Sequence, residues 1–170
     1  MLGSGNDAGV ALANMAGGIK KTNALMLAKA KSVQAFDTVP KSPHGLDTPG
    51  QVSSAYDLAL IARAAMEDKT FRKIVATKTY VFPNSGPRNV DRKIRNLNKL
   101  IFTYPGIIGV KTGYTTKGRN TYIGIAKRDG RTIIITFMHL RYGRDELAKK
   151  LFDWGFDAVG KVEPVGELVS

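Results

Sequence analysis

IIGVKTGYTTKGRNTYIGIAKRDGRTIIITFMHL, residues 107–140, holds three runs rich in β-branched and aromatic residues, separated by two short polar stretches. Ile107–Gly113, Asn120–Lys127 and Thr132–Leu140 read as strands, because side chains of this kind pack well on a pleated, half-buried surface. Arg128-Asp129-Gly130-Arg131 joins the last two. An Asp-Gly pair suits the positive φ angles of a tight hairpin turn, so these strands are predicted to be antiparallel. Immediately downstream, Asp145–Phe156 (DELAKKLFDWGF) is amphipathic, with Leu147, Leu151, Phe152 and Trp154 available to lie on the sheet.

Upstream of this block the pattern is helical. Residues 7–17 form an Ala-rich run after a Ser4-Gly5-Asn6 turn, with Asn6 or Asp7 as N-cap and Gly17-Gly18 as the stop. Residues 21–34 have helical spacing, with Leu25, Leu27, Ala28 and Ala30 as core positions. A loop from Asp37 to Val52 contains three prolines and two glycines. Ser54 then caps a helix to about Asp68, with Asp57 three positions on resembling a capping box. Ala55, Leu58, Ala59, Ile61, Ala62, Ala65 and Met66 supply its apolar stripe. A shorter helix is expected at Phe71–Ala76, a strand at Thr77–Phe82, and a short helix at Asn96–Phe102 after a polar loop. Helices first, then an antiparallel sheet, then a closing helix is an α+β order rather than a βαβ repeat. Residues 1–160 read as one domain, and 161–170 as a tail or the start of a following segment.

The composition bounds the function classes. With 170 residues, 43% hydrophobic and 24% charged, the chain is long enough for a packed core. No apolar run approaches a membrane span, and no signal peptide is visible. A formal charge of +12 favours polyanionic surroundings, such as an anionic cell wall, without specifying a fold. The densest basic stretch is Arg88–Lys99. A nucleic-acid-binding protein would predict steep salt dependence, but no helix-turn-helix, zinc finger or aromatic RNA-binding strand is recognisable, and no nucleic-acid partner is expected. Cysteine is absent. His44 and His139 lack the acidic or histidine company of a zinc site, so no metal and no cofactor are expected. Asp47 and Asp57 are assigned to turn and cap geometry.

Two triplets carry chemistry: Ser4-Gly5-Asn6 before a helix, and Lys111-Thr112-Gly113 at the end of a strand. Serine penicillin-binding proteins and class A β-lactamases combine a Ser-x-x-Lys nucleophile, a Ser-x-Asn or Ser-Asp-Asn loop and a Lys-Thr-Gly strand. Singly, helix capping explains the first triplet and an edge strand with a solvated lysine the second. Order and setting favour the chemical reading. Beyond the triplets, SGNDAGVALA, PHGLD-TPGQVSSAYDLALIARAA, LNKLIFTYPGIIGVKTGYTTKGRNTYIGIAKRDGRTII and LFDWGF resemble the low-molecular-weight D-alanyl-D-alanine carboxypeptidases, peptidase family S11. The resemblance spans roughly residues 2–157.

That resemblance implies the β-lactamase/DD-peptidase-like transpeptidase fold. It implies a serine-type carboxypeptidase acting on peptidoglycan stem peptides that end in D-Ala-D-Ala, outside the cytoplasm. Ser4, Asn6 and Lys111 are the implied catalytic residues. Ser4 would relay a proton to the leaving D-alanine nitrogen, and the Asn6 amide would both accept and donate. Lys111 would supply positive charge for the terminal carboxylate, worth about 4 kcal/mol of attraction at 4 Å before desolvation is subtracted. Thr112 would donate to the same carboxylate, and Gly113 would let the substrate backbone lie close. The N–H of Tyr114 would form half of an oxyanion hole. Arg144 matches an arginine that helps hold the carboxylate in some family members, or is a surface arginine at a helix end. A β-lactamase is a closer cousin than any other rival, but no counterpart of its deacylating glutamate is identifiable and the flanking sequences favour the carboxypeptidase.

The chain departs from the pattern in one respect. It contains no Ser-x-x-Lys, and Thr38-Val39-Pro40-Lys41 and Thr70-Phe71-Arg72-Lys73 share only its spacing. In the family the nucleophile precedes Ser-x-Asn, so the expectation is a chain truncated before that motif, with the N-terminal part of the fold missing. Such a chain is expected to be inactive alone, to take β-lactams only if the nucleophile segment is present, and to self-associate through exposed core surface. The alternative is a non-catalytic peptidoglycan-peptide-binding fragment or degenerate homologue.

Overall fold

The computed structural model describes residues 1–83, 90–163, 165 and 166. In chain order the elements are α1 (Asn6–Met15), α2 (Ile19–Ser32), α3 (Ala55–Ala65), α4 (Lys69–Ala76), β1 (Thr79–Phe82), β2 (Arg92–Arg95), α5 (Leu100–Thr103), β3 (Ile107–Thr115), β4 (Arg119–Arg128), β5 (Arg131–Leu140) and α6 (Arg144–Ala158). The α+β class holds. β3, β4 and β5 form an antiparallel sheet in that order. Asp129 and Gly130 both take positive φ in the β4–β5 turn, as the Asp-Gly reading requires.

The sheet is covered on both faces. On one, Phe152 and Ala148 of α6 and Leu100 of α5 pack with Tyr122, Ala126 and Ile135. On the other, Val75 of α4 packs with Val110 and Ile125, flanked by Met66, Phe71 and Ile134. The Thr136 hydroxyl donates to the Ala55 carbonyl at 2.6 Å and joins β5 to the start of α3. Each fully buried side chain of this size contributes about 1.5–3 kcal/mol relative to leaving it in water.

Several local expectations are corrected. Gly5, not Asn6 or Asp7, is the N-cap of α1; the Asp7 carboxylate accepts from the Ala8 N–H instead. On α2, Ala30 is buried but Leu25 and Ala28 are exposed. Ser54 does cap α3, accepting from the Asp57 N–H. The Asp57 carboxylate does not close the box: it is buried and accepts from the Thr38 hydroxyl at 2.7 Å, fastening the Pro-Gly loop to α3. The strand expected at 77–82 is not in the main sheet. As β1 it pairs with β2, a strand the sequence reading missed, in a separate two-stranded ribbon. The short helix at 96–102 shrinks to α5, because Asn96 and Asn98 are buried as hydrogen-bonding groups. On α6, Trp154 is 64% exposed. The buried stripe runs Ala148, Phe152, Gly155, Ala158, and Trp154 falls outside that 3.6-residue phase. Part of the polar loop before Asn96, Arg88 of the basic stretch, and half of the 161–170 tail lie outside the described residues.

Candidate active site

Lys111-Thr112-Gly113 lies within β3 rather than at its end, since the strand runs on to Thr115. Among the described residues β3 is an edge of its sheet: β4 occupies one side, with Lys111 opposite Ile123 and Thr112 opposite Tyr122. The other backbone edge of β3 has no strand partner among them. An edge of this kind can accept an extended peptide. Gly113 fits the close approach that β3 makes to β4, because a Cβ there would meet the Thr121 hydroxyl oxygen at 2.4 Å.

Lys111 is half-buried and its ammonium donates to the Thr112 carbonyl. Burial holds its pKa below the ordinary lysine value, and the Arg144 guanidinium lowers it further. Arg144 stands at the first turn of α6, and its charge acts on Lys111. Arg144 is also tied to Asp145 at 3.1 Å. Two cations held near one another in a partly buried setting favour an anion between or beside them. Thr112 is buried, and the Tyr114 side chain is 63% exposed.

Behind this strand sits a buried polar brace. The Tyr122 hydroxyl, opposite Thr112 in register, donates to the Asn98 side-chain carbonyl at 3.2 Å. Asn96 accepts from the Asn98 N–H and donates to the carbonyls of Val75 and Thr77, tying the brace to the end of α4. Burial raises the Tyr122 pKa well above the ordinary tyrosine value.

Ser4 has φ 51°, and its N–H donates to the Met1 carbonyl. Nearby, the Leu97 N–H donates to the Leu2 carbonyl and Gly3 packs on Ile94 of β2. The Ser4-Gly5-Asn6 turn is therefore joined to the ribbon and, through Asn96, to Val75 of α4, which packs on Val110 beside Lys111. Among the described residues no hydrogen bond links Ser4 or Asn6 directly to Lys111 or Thr112. The structure thus brings Lys111, Thr112 and Arg144 together, with the Ser-Gly-Asn turn attached through intervening residues.

The sequence reading assigned Asp47 to turn geometry and missed its long-range contact. Its carboxylate accepts from the Lys117 N–H at 3.0 Å in the β3–β4 turn, across 70 positions of chain. Hydrogen bonds from Thr115 and Lys117 hold its pKa below the ordinary aspartate value. The Pro-Gly loop therefore reaches the far end of β3. Only an isolated aspartate in a turn-rich loop is visible in sequence, which points to turn geometry alone. His44 accepts from the Leu46 N–H, and among the described residues no group of three histidine, cysteine or acidic side chains could hold a metal ion.

Comparison with known proteins places these residues in a wider setting. The sequence model of the peptidase S11 family, described as D-alanyl-D-alanine carboxypeptidase, matches residues 1–141. A D-alanyl-D-alanine carboxypeptidase of Mycobacterium tuberculosis is 42% identical over 99% of this chain and 59% of its own length. Another, from Bacillus subtilis, is 34% identical over 91% of this chain and 40% of its own. Among solved structures, a Mycobacterium tuberculosis D-alanyl-D-alanine carboxypeptidase superposes with TM-score 0.85 at 40% identity, covering 99% of this chain and 64% of that one. A variant of a Streptomyces DD-transpeptidase superposes with TM-score 0.84 at 31% identity, covering 92% and 65%. The chain spans about three fifths of the Mycobacterium relative it matches.

Proposed function

This chain belongs to the D-alanyl-D-alanine carboxypeptidase family, peptidase S11, and from that premise we propose that it is the substrate-recognition part of a serine-type enzyme that removes the terminal D-alanine from peptidoglycan stem peptides. Lys111 and Thr112 receive the free terminal carboxylate, with Arg144 as a second cation. The Tyr114 N–H donates to the scissile carbonyl as negative charge develops on its oxygen. Ser4 passes a proton to the leaving amine, and the Asn6 amide orients the substrate. The observation that carries this reading is half-buried Lys111 beside buried Thr112 on a strand edge that no strand of the described residues covers.

The acyl transfer itself needs a hydroxyl nucleophile and a base on one helical turn. The 170 residues contain no Ser-x-x-Lys, so hydrolysis and β-lactam acylation both require such a pair from outside them. Alone, the chain binds the peptide and does not cleave it. A D-Ala-D-Ala substrate and a charge of +12 fit work at an anionic cell wall, outside the cytoplasm. Leu12 and Met15 of α1 and Leu25 and Met26 of α2 are exposed, and these apolar faces favour self-association of the isolated chain.

Calorimetric titration with a peptide ending in D-Ala-D-Ala, and with its C-terminal amide, tests the reading. The acid is expected to bind about tenfold or more tightly, since a hydrogen bond to a charged group is worth about 1.5–3 kcal/mol. Lys111→Met should erase most of that preference. Equal binding of acid and amide, or a penicilloyl mass increment on this chain, would contradict it.

A further inference from the structure

At the far end of β3, next to the proposed oxyanion residue, the sheet ends in a cationic notch. Tyr114, Arg119, Arg141 and Tyr142 line a cleft of about 240 Å³. The register builds it: Tyr114 on β3 lies opposite Asn120 on β4, and Asn120 opposite Leu140 on β5. Arg119 and Arg141 are the chain neighbours of that row. The Asn120 amide donates to the carbonyls of Leu140 (3.1 Å) and Arg141 (3.0 Å), so the backbone that carries Arg141 is fixed against β4.

Neither arginine makes an ion pair among the described residues. No acidic side chain lines the cleft; Asp145 pairs with Arg144, and Asp47 accepts from the Lys117 N–H. Like charges brought together across strands destabilise a sheet. Here two arginines line one cleft beside two tyrosines, with no ion pair to either among the described residues. Arginine forks match carboxylates, and two of them in one notch define a site for one.

The proposed binding mode states which carboxylate arrives there. With the terminal carboxylate at Lys111 and Thr112 and the scissile carbonyl at the Tyr114 N–H, the peptide runs along β3 toward Thr115. At about 3.3 Å per residue, Thr112 to Thr115 spans about 10 Å, the length of three extended residues. We infer that the Arg119–Arg141 notch is a second anion subsite, which selects peptides carrying a side-chain carboxylate on the antepenultimate residue, the one before D-Ala-D-Ala. This inference rests on the D-Ala-D-Ala reading for its orientation and adds a specificity determinant that the reading does not contain.

The test compares N-acetyl-Glu-D-Ala-D-Ala with N-acetyl-Gln-D-Ala-D-Ala by calorimetry on this 170-residue chain at low salt, with the C-terminal amide of the Gln peptide as reference. The Glu peptide is expected to bind about fivefold more tightly, in line with partly exposed Arg–carboxylate pairs. That ratio should fall to about one in the R119Q/R141Q variant and largely survive in R119K/R141K, which keeps both charges. A ratio near one in the parent, or a preference that persists in R119Q/R141Q, overturns the notch. If the two acids bind equally but both exceed the amide, only the notch fails. If none of the three binds, the D-Ala-D-Ala reading fails with it.

Discussion

Replacing Tyr122 with phenylalanine removes one oxygen atom from behind the proposed carboxylate site. Tyr122 is fully buried, and its ring stacks on Phe137 with centroids 5.5 Å apart, a contact phenylalanine keeps. What is lost is the hydrogen bond to Asn98, itself 1% exposed. The Asn98 side-chain N–H₂ has no partner among the described residues, so Tyr122→Phe leaves its whole side-chain amide unsatisfied. An orphaned buried polar group costs about 1–3 kcal/mol. For a domain of this size that lowers the melting temperature by roughly 2–12 °C. Urea denaturation followed by circular dichroism measures it directly. Combining Tyr122→Phe with Asn98→Leu removes the polar atom as well as its partner and should recover most of the loss, as a double-mutant cycle would report. A Tyr122→Phe loss below about 0.5 kcal/mol, within the range of a neutral surface change, would refute the brace.

Other outcomes follow from the same contacts. Phe152→Ala should cost about 3–5 kcal/mol, because Phe152 is fully buried at the centre of the α6 face, whereas Trp154→Ala should stay within about 0.5 kcal/mol; denaturation of the pair checks the rotation of α6. The Asp47 tether is fully present above the ordinary aspartate pKa and is lost as pH falls through its lowered value. Amide exchange at Lys117 should therefore quicken only below the normal aspartate range, and Asp47→Asn should remove that pH dependence in NMR exchange spectra. Because burial and Arg144 lower the Lys111 pKa, affinity for the terminal carboxylate should decline with rising pH sooner than an ordinary lysine would allow. Calorimetry across alkaline pH reads the shift.

The sheet was legible because three β-branched runs and an Asp-Gly turn all favour one antiparallel arrangement. The ribbon was not. Arg92-Lys93-Ile94-Arg95 has one apolar residue and is mostly exposed, so it carries no period-two signal. Trp154 misled for another reason: its size suggested burial, but the helix phase is set by Ala148, Phe152 and Gly155, and Gly155 packs directly on Ile133. At the site, Lys111-Thr112-Gly113 and Arg144 were visible as motifs. The Asp47 tether and the Tyr122–Asn98 brace were not, since each depends on partners brought together by folding over 70 and 24 positions. Ser4 and Asn6 were visible as a motif, whereas their connection to Lys111 among the described residues, through the ribbon and α4, forms only on folding.

The most direct measurement is backbone amide chemical-shift mapping of this chain titrated with a peptide ending in D-Ala-D-Ala. Saturable shifts at Ser4–Asn6 and at Lys111–Tyr114 in the same titration are expected, because one peptide should touch both. Shifts confined to one of the two segments, or absent from both, would contradict the proposal that a single bound peptide engages Ser4 and Asn6 together with Lys111 and Thr112.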